Sequence, residues 1–204
     1  MTLSELGKKY NTDKYYLHNF CDFYERNLKK DIKILWEIGI LDGASLRMWS
    51  EYYPNAKITG FDIDDKSQLD FESKVKTVIL DQSDIYQLTD LSKTKDVDII
   101  IDDGSHIIRH QIMTFEVLFD SLKSGGQYVI EDLHTSTGLW STYGFENNKG
   151  TLQYLNDIIT YNFPKNYPGQ IRTDKVVENI ANINIFTNIG TDKGRSITAI
   201  IEHK

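Results

Sequence analysis

Ile32-Lys33-Ile34-Leu35-Trp36-Glu37-Ile38-Gly39-Ile40-Leu41-Asp42-Gly43-Ala44-Ser45, residues 32–45, is the stretch that decides the fold. Its first half, Ile32–Ile38, is an apolar, β-rich run. Its second half sets glycines at 39 and 43 ahead of a helix-length segment, an E-x-G-x-x-x-G pattern. A strand that passes through a glycine turn into a helix is the opening unit of an open parallel sheet. Further runs of the same kind follow at Lys57–Ile63, Val75–Leu80, Val97–Ile101, Gln127–Ile130, Ile183–Thr187 and Ser196–Glu202. Between the first two, Ser45–Tyr53 fits a helix stopped by Pro54-Asn55. After the fourth, Ile108, Ile112, Phe115 and Phe119 recur at helical spacing, and the spacing predicts a helix that stops near Ser124-Gly125-Gly126. The last two runs are joined by Asn188–Gly194, too short for a crossover helix, so they should pair antiparallel. Ahead of the first strand, Leu17, Phe20, Cys21, Tyr24 and Leu28 fall on one face of an amphipathic helix.

The expected architecture is α/β: a doubly wound, mostly parallel, seven-stranded Rossmann-like sheet with a C-terminal antiparallel hairpin and an N-terminal helical segment. With 204 residues, 40% hydrophobic and 26% charged, the chain suits one domain, 1–204. Within it, 1–30 reads as a helical cap or lid. Residues 134–150, with Trp140, Tyr143 and Phe145 among small polar residues, read as a substrate loop in which His134 and Trp140 shape the pocket. A 12% aromatic share and three prolines exclude a disordered chain. The net charge of -7 argues against nucleic acid, which needs a positive surface. There is no run of about 18 apolar residues and no secretory leader pattern. The expectation is a cytoplasmic protein without a membrane partner. Cys21 is the one cysteine; it can form no internal disulfide, and a small core residue is the expected role.

In an open parallel sheet, ligands bind outside the carboxyl ends of the strands where strand order reverses. Gly39 and Gly43 allow close approach of a ligand to the first strand tip. The pattern is not G-x-G-x-x-G, and Glu37 would repel a dinucleotide phosphate while suiting a cationic ligand, which disfavours a nicotinamide oxidoreductase. Asp62, at the end of the second strand, is placed to accept from a ribose diol. Asp81-Gln82-Ser83-Asp84 follows the third strand and could meet an adenine edge. Together these strand ends suggest an adenosine that carries positive charge.

At this point the chain resembles the class I S-adenosylmethionine-dependent methyltransferases. Three further stretches narrow the resemblance: Tyr10-Asn11-Thr12-Asp13-Lys14, Ile101-Asp102-Asp103-Gly104-Ser105-His106 and Tyr128-Val129-Ile130-Glu131-Asp132-Leu133. They resemble the metal-dependent sugar O-methyltransferases of macrolide tailoring, of the mycinamicin and macrocin type, and polysaccharide-associated relatives. The resemblance implies cofactor contacts at Glu37, Ser45, Asp62, Gln82, Ser83 and Asp103, metal ligands at Asp103, Glu131 and Asp132, and a catalytic base at His106. The glycine loop is shorter than in the macrolide enzymes, and no counterpart is expected for the extra N-terminal domain that some of them carry.

The residues support the same chemistry on their own terms. If the fourth and fifth strands are neighbours, Asp103, Glu131 and Asp132 converge at tips about 4.8 Å apart. Like charges that close raise each other's pKa, a conflict that a hard cation such as Mg²⁺ or Mn²⁺ removes. Open coordination positions would suit a vicinal diol, so the expected substrate is a small molecule containing a sugar. Metal coordination would acidify its hydroxyl, and His106 would take the proton as the oxygen attacks the sulfonium methyl, leaving S-adenosylhomocysteine (SAH). Asp13 and Lys14 read either as packing a lid over the cofactor or as an ion pair at a helix start, and His110 reads as a helix-face residue. Competing readings are a cephalosporin hydroxylase-like enzyme on the same scaffold and a non-catalytic nucleoside-binding module. A homo-oligomer is compatible with all of them.

Overall fold

A computed structural model describes residues 1–17, 19–137, 141–145, 147, 149–189 and 196–204. The chain begins with α1 (Leu3–Tyr10), α2 (Asp13–Tyr16) and α3 (Phe20–Asn27). It continues through β1 (Ile34–Ile38), α4 (Ala44–Tyr52), β2 (Lys57–Asp62), β3 (Val75–Ile79), α5 (Ile85–Leu91), β4 (Val97–Asp102), α6 (Ile108–Leu118) and β5 (Leu122–Ile130). It ends with α7 (Thr151–Tyr161), α8 (Thr173–Asn179), β6 (Ile180–Ile189) and β7 (Ser196–His203). The strands form one sheet in the order β3-β2-β1-β4-β5-β7-β6. β1 to β5 are mutually parallel where they pair, and β7 runs antiparallel to both β5 and β6. The strand order therefore reverses between β1 and β4.

The central strands read as continuous apolar runs because both faces of the sheet are covered. Successive residues go to opposite sides. Leu35, Ile99, Val129 and Ile200 join the core under α1, α3 and α4, with Leu3, Phe20, Tyr24 and Trp49. Trp36, Ile100, Tyr128 and Ile201 join the core under α6 and α7, with Phe115, Tyr154 and Leu155. Cys21 is fully buried, and burial pushes its thiol up to about 12, as expected of an inert core residue. Among the described residues, no helix is long and apolar enough to cross a membrane.

Two expectations need correction. The helix after β4 ends at Leu118, not near residues 124–126, and Ser124-Gly125-Gly126 lies inside β5. Val97 pairs with Leu122 but Ile99 pairs with Gln127, so the glycine-bearing stretch forms an irregularity that the ladder accommodates at its start. The N-terminal amphipathic segment is not one helix. α2 stops at Tyr16, Asn19 takes a left-handed conformation (φ 52°), and α3 restarts at Phe20. Leu17, assigned to the buried face, is consequently 48% exposed. Trp140 and most of the expected 188–194 turn lie outside the described residues.

Candidate active site

The strand ladder itself brings the site residues into line. Beyond the regular pairs, Gly39 N–H donates to Phe61 O (2.8 Å), Asp103 N–H to Ile38 O (2.9 Å) and Glu131 N–H to Asp102 O (3.0 Å). The tips of β2, β1, β4 and β5 thus stay in register one residue past the strands. Gly39 has φ 82°, and a Cβ there would sit 2.1 Å from Asp103 O, so only glycine lets these two tips touch. Gly43, φ 78°, stands at the start of α4 in the left-handed conformation that glycine adopts without strain.

Two cavities meet at Gly39. The larger, about 300 Å³, is lined by Gly39, Asp62, Asp81, Gln82, Ser105 and His110 with apolar walls from Ile38, Ile63, Leu80 and Ile107. Asp62 is held ready there: Oδ2 accepts from Ile40 N–H (3.1 Å) and Oδ1 from Asp64 N–H (3.0 Å). Gln82 is buried and fully engaged, its amide nitrogen donating to Asp102 Oδ1 (2.9 Å) and Thr114 Oγ1 (3.3 Å) and its oxygen accepting from Ser105 N–H (2.9 Å). It shapes the cavity and has no amide group to spare. Ser83 is exposed, gives its N–H to Asp81 Oδ1 (2.7 Å) and does not line the cavity. Asp84 caps α5 by accepting from Tyr86 N–H and Gln87 N–H.

The smaller cavity, about 110 Å³, lies between residues 11–14 and the glycine loop. Glu37, fully buried behind it, accepts from Ser45 Oγ (2.7 Å) through Oε2. Its Oε1 has no hydrogen-bond partner among the described residues and lies 3.4 Å from the Lys14 ammonium. Burial raises the Glu37 pKa, and Lys14 and Ser45 pull against that rise.

Lys14 is the residue that sequence reasoning undervalued. It is 1% exposed, and its Nζ lies 2.7 Å from Asp103 Oδ2 and 2.7 Å from Glu131 Oε1 as well as near Glu37. Burial would depress its pKa, but these carboxylates together hold it well above the usual lysine range. Of the two readings given for residues 13 and 14, the helix-start ion pair does not form: Asp13 accepts from the Lys14 N–H (2.8 Å) at the start of α2, while the Lys14 side chain crosses to the sheet. The Tyr24 hydroxyl donates to Glu131 Oε1 from α3. Helical periodicity assigned Tyr24 to the core, and its polar tip is what the periodicity could not reveal. Burial and the adjacent Asp103 push Glu131 well above the usual carboxylate range, with Lys14 opposing.

Beside this junction, one ligand atom each from Asp103, His106 and Asp132 lies within 4.8 Å of the others. His106 Nε2 is 3.9 Å from Asp103 Oδ1 and 3.9 Å from Asp132 Oδ2. Asp103 therefore offers one oxygen to Lys14 and faces His106 with the other. Asp132 Oδ1 accepts from Ser196 Oγ (2.7 Å) at the start of β7, a contact without any sequence signal. His106 and Asp132 both hold left-handed backbone, φ 56° and 53°, the kind of strain that functional sites retain. The His134 ring approaches the same carboxylate, Nδ1 to Asp132 Oδ1 3.7 Å. The structure thus gathers Glu37, Gly39, Ser45, Asp62, Gln82, Asp103, His106, Glu131 and Asp132 along one line of strand tips. Gly43 stands behind at the helix start and Ser83 outside.

The residues fit both groups that the sequence suggested. A buried Glu37 oxygen that makes no hydrogen bond suits a ligand ammonium, and the facing carboxylates of Asp103 and Asp132 suit a hard divalent cation, with the His106 imidazole beside them. No family model matches the chain. The mycinamicin VI 2''-O-methyltransferase of Micromonospora griseorubida is 34% identical over 95% of this chain and 53% of its own length. The demethylmacrocin O-methyltransferase of Streptomyces fradiae is 39% identical over 72% of this chain and 40% of its own length. The MycE methyltransferase from the mycinamycin biosynthetic pathway, solved with Mg, SAH and mycinamycin VI, superposes on 100% of this chain and 53% of its own. That superposition has a TM-score of 0.80 at 32% identity. The chain spans about half the length of the relatives it matches. By sequence across nearly its whole length, and by strand order and tip geometry, the chain belongs to the class I S-adenosylmethionine-dependent methyltransferases, and these sugar O-methyltransferases are the members it is similar to.

Proposed function

We propose that this chain catalyses S-adenosylmethionine-dependent, divalent-cation-dependent methylation of a sugar hydroxyl on a small molecule or glycan precursor. The observation that carries the reading is the meeting of Asp103, His106 and Asp132 within 4.8 Å beside the two cavities that share Gly39. When bound, the donor supplies an activated methyl group and the cation supplies positive charge that acidifies the acceptor hydroxyl.

The chain's own residues do the rest. Asp62, oriented by two backbone N–H groups, accepts from the ribose diol, and the Glu37 oxygen that makes no hydrogen bond meets the ammonium of the amino-acid half. Asp103 and Asp132 would hold the cation, while Glu131, at the same tip, is engaged by Lys14 and Tyr24. His106 accepts the hydroxyl proton on its imidazole as the methyl transfers. Fixing both reactants against one rigid row of tips supplies the positioning on which such transfers depend. Tyr143, whose ring stands 6.2 Å from the His106 ring, lines the acceptor side. The acidic balance and the buried thiol support a cytoplasmic setting and an acceptor other than nucleic acid.

The test is methyl transfer from S-adenosylmethionine to sugar-bearing acceptors, read by mass as a single added methyl. Activity should vanish in EDTA and return with Mg²⁺, and full activity in metal-free buffer would refute the cation's part. His106→Ala should lower turnover by about a hundredfold or more while Mg²⁺ affinity persists. Loss of Mg²⁺ affinity in that variant would make His106 a ligand instead of the base.

A further inference from the structure

Each of the two carboxylates that face His106 has one oxygen engaged and the other turned to the ring. Asp103 Oδ2 is taken by the Lys14 ammonium (2.7 Å), and Oδ1 faces His106 Nε2 (3.9 Å). Asp132 Oδ1 accepts from Ser196 Oγ (2.7 Å), and Oδ2 faces the same ring nitrogen (3.9 Å). Lys14 comes from the N-terminal helices, whereas Ser196 opens β7, which runs antiparallel to β5. Ile130 pairs with Ala199, so the chain leaving the β5 tip passes the start of β7. That register is how a residue 64 positions later reaches Asp132. Ser196 is buried, and its backbone pairs with Ile189 of β6, which fixes the point from which the hydroxyl projects. The hydroxyl has one proton; Ile197 O lies 3.4 Å away, so the shorter bond to the carboxylate takes it.

Resting on the cation-dependent reading above, we propose that Ser196 is a positioning residue for the cation: by holding Oδ1 of Asp132 it presents Oδ2 as a single ligand oxygen beside Asp103 Oδ1. The backbone at Asp132 is already fixed. It has φ 53°, and its carbonyl accepts from Thr135 N–H (2.9 Å) and Thr135 Oγ1 (2.8 Å). Those bonds leave the side-chain torsions of Asp132 to be set by what its carboxylate meets, and Ser196 makes the short contact there. The His134 ring lies farther from the same oxygen, Nδ1 at 3.7 Å. Mg²⁺ demands oxygens at about 2.1 Å in near-octahedral array. A carboxylate free to rotate must be ordered when the ion binds, whereas one already turned to the site need not be. Groups that orient a ligand without touching the metal typically change affinity by about 10–100-fold when removed. One oxygen from each carboxylate also leaves coordination positions open for the two oxygens of a vicinal diol. The antiparallel strand at the end of the chain thereby takes part in a site otherwise built from parallel strand tips.

The experiment titrates Mg²⁺ by calorimetry into the SAH-saturated wild-type chain, Ser196→Ala and Ser196→Thr, and SAH into each of them in EDTA. Ser196→Ala should weaken Mg²⁺ by about tenfold or more while SAH affinity changes by about twofold or less. General loosening of the fold would weaken both ligands together, so the split between them is the signature of positioning. Ser196→Thr keeps the hydroxyl on a residue that suits a strand, and it should return Mg²⁺ affinity to within about threefold of the wild type. An alanine variant that stays folded by circular dichroism and binds Mg²⁺ as the wild type does would overturn the assignment. So would equal losses of Mg²⁺ and SAH affinity, or a folded threonine variant as weak as the alanine one. Absence of Mg²⁺ binding in the wild type would instead overturn the cation reading on which the assignment depends.

Discussion

The row of strand tips is organised differently on the two sides of Gly39. Toward β2 and β3 the cavity wall is a chain of single hydrogen bonds, each partner satisfied, running from Asp102 through Gln82 and Ser105 to His110. Toward β5 the wall is ionic, with one buried ammonium, Lys14, against Glu37, Asp103 and Glu131. The first side draws its groups from loops that parallel register already aligns. The second is held by a residue from outside the sheet, and its carboxylates outnumber their counter-charge. That excess negative charge is what a divalent cation and a cationic donor would offset, so in the proposed reaction the ionic side would carry the chemistry.

If this contrast is right, substitutions on the ionic side should do more damage. Lys14→Met leaves buried carboxylates without a partner and should destabilise the fold by about 3 kcal/mol or more, measured by urea unfolding in metal-free buffer. Gln82→Ala, which removes neutral hydrogen bonds, should cost about 1–2 kcal/mol. The reverse order would break the comparison. Adding Glu131→Gln to Lys14→Met should restore part of the loss, because the pair is coupled.

A pH-dependent effect sharpens the hydrogen-bonded side. Burial raises Asp102 from the ordinary carboxylate value to about 6, with Gln82 and the Gly104 N–H opposing. The folded state then binds more protons than the unfolded state between about pH 4 and pH 6, so this group's contribution to stability is full below that window and lost as pH rises through it. The loss is roughly 2–3 kcal/mol. Asp102→Asn keeps an oxygen for Gln82 and should flatten this part of the profile. Urea midpoints at pH 4 and pH 7 that change equally in variant and wild type would remove Asp102 from the account.

What the sequence revealed follows the same division. The glycine loop, Asp62 and the paired acidic tips were legible because each lies within a few residues of a strand whose apolar run marks its end. Parallel register then carries them into one line. Lys14 was visible only as one residue of a short N-terminal stretch with two open readings, because its partners Asp103 and Glu131 lie 89 and 117 positions later. Tyr24 and Ser196 had no signal, since an apolar helix face and a strand start look the same whether or not a hydroxyl reaches a carboxylate. The extent of α6 was misjudged because the glycines near residue 125 read as a helix stop, whereas they accompany a ladder irregularity at the start of β5. Ser83 looked equivalent to Gln82 in the sequence, and only the turn at Asp81 separates the exposed residue from the buried one.

The central claim is that acidic side chains at the β4 and β5 tips hold a divalent cation beside the bound donor. Calorimetric titration of Mg²⁺ into the SAH-saturated chain tests it most directly, with Asp103→Asn and Asp132→Asn as the comparison. The account predicts one saturable Mg²⁺ site in the wild type and its loss in both variants while SAH remains bound. Equal Mg²⁺ binding in wild type and variants, or none in the wild type, would contradict it.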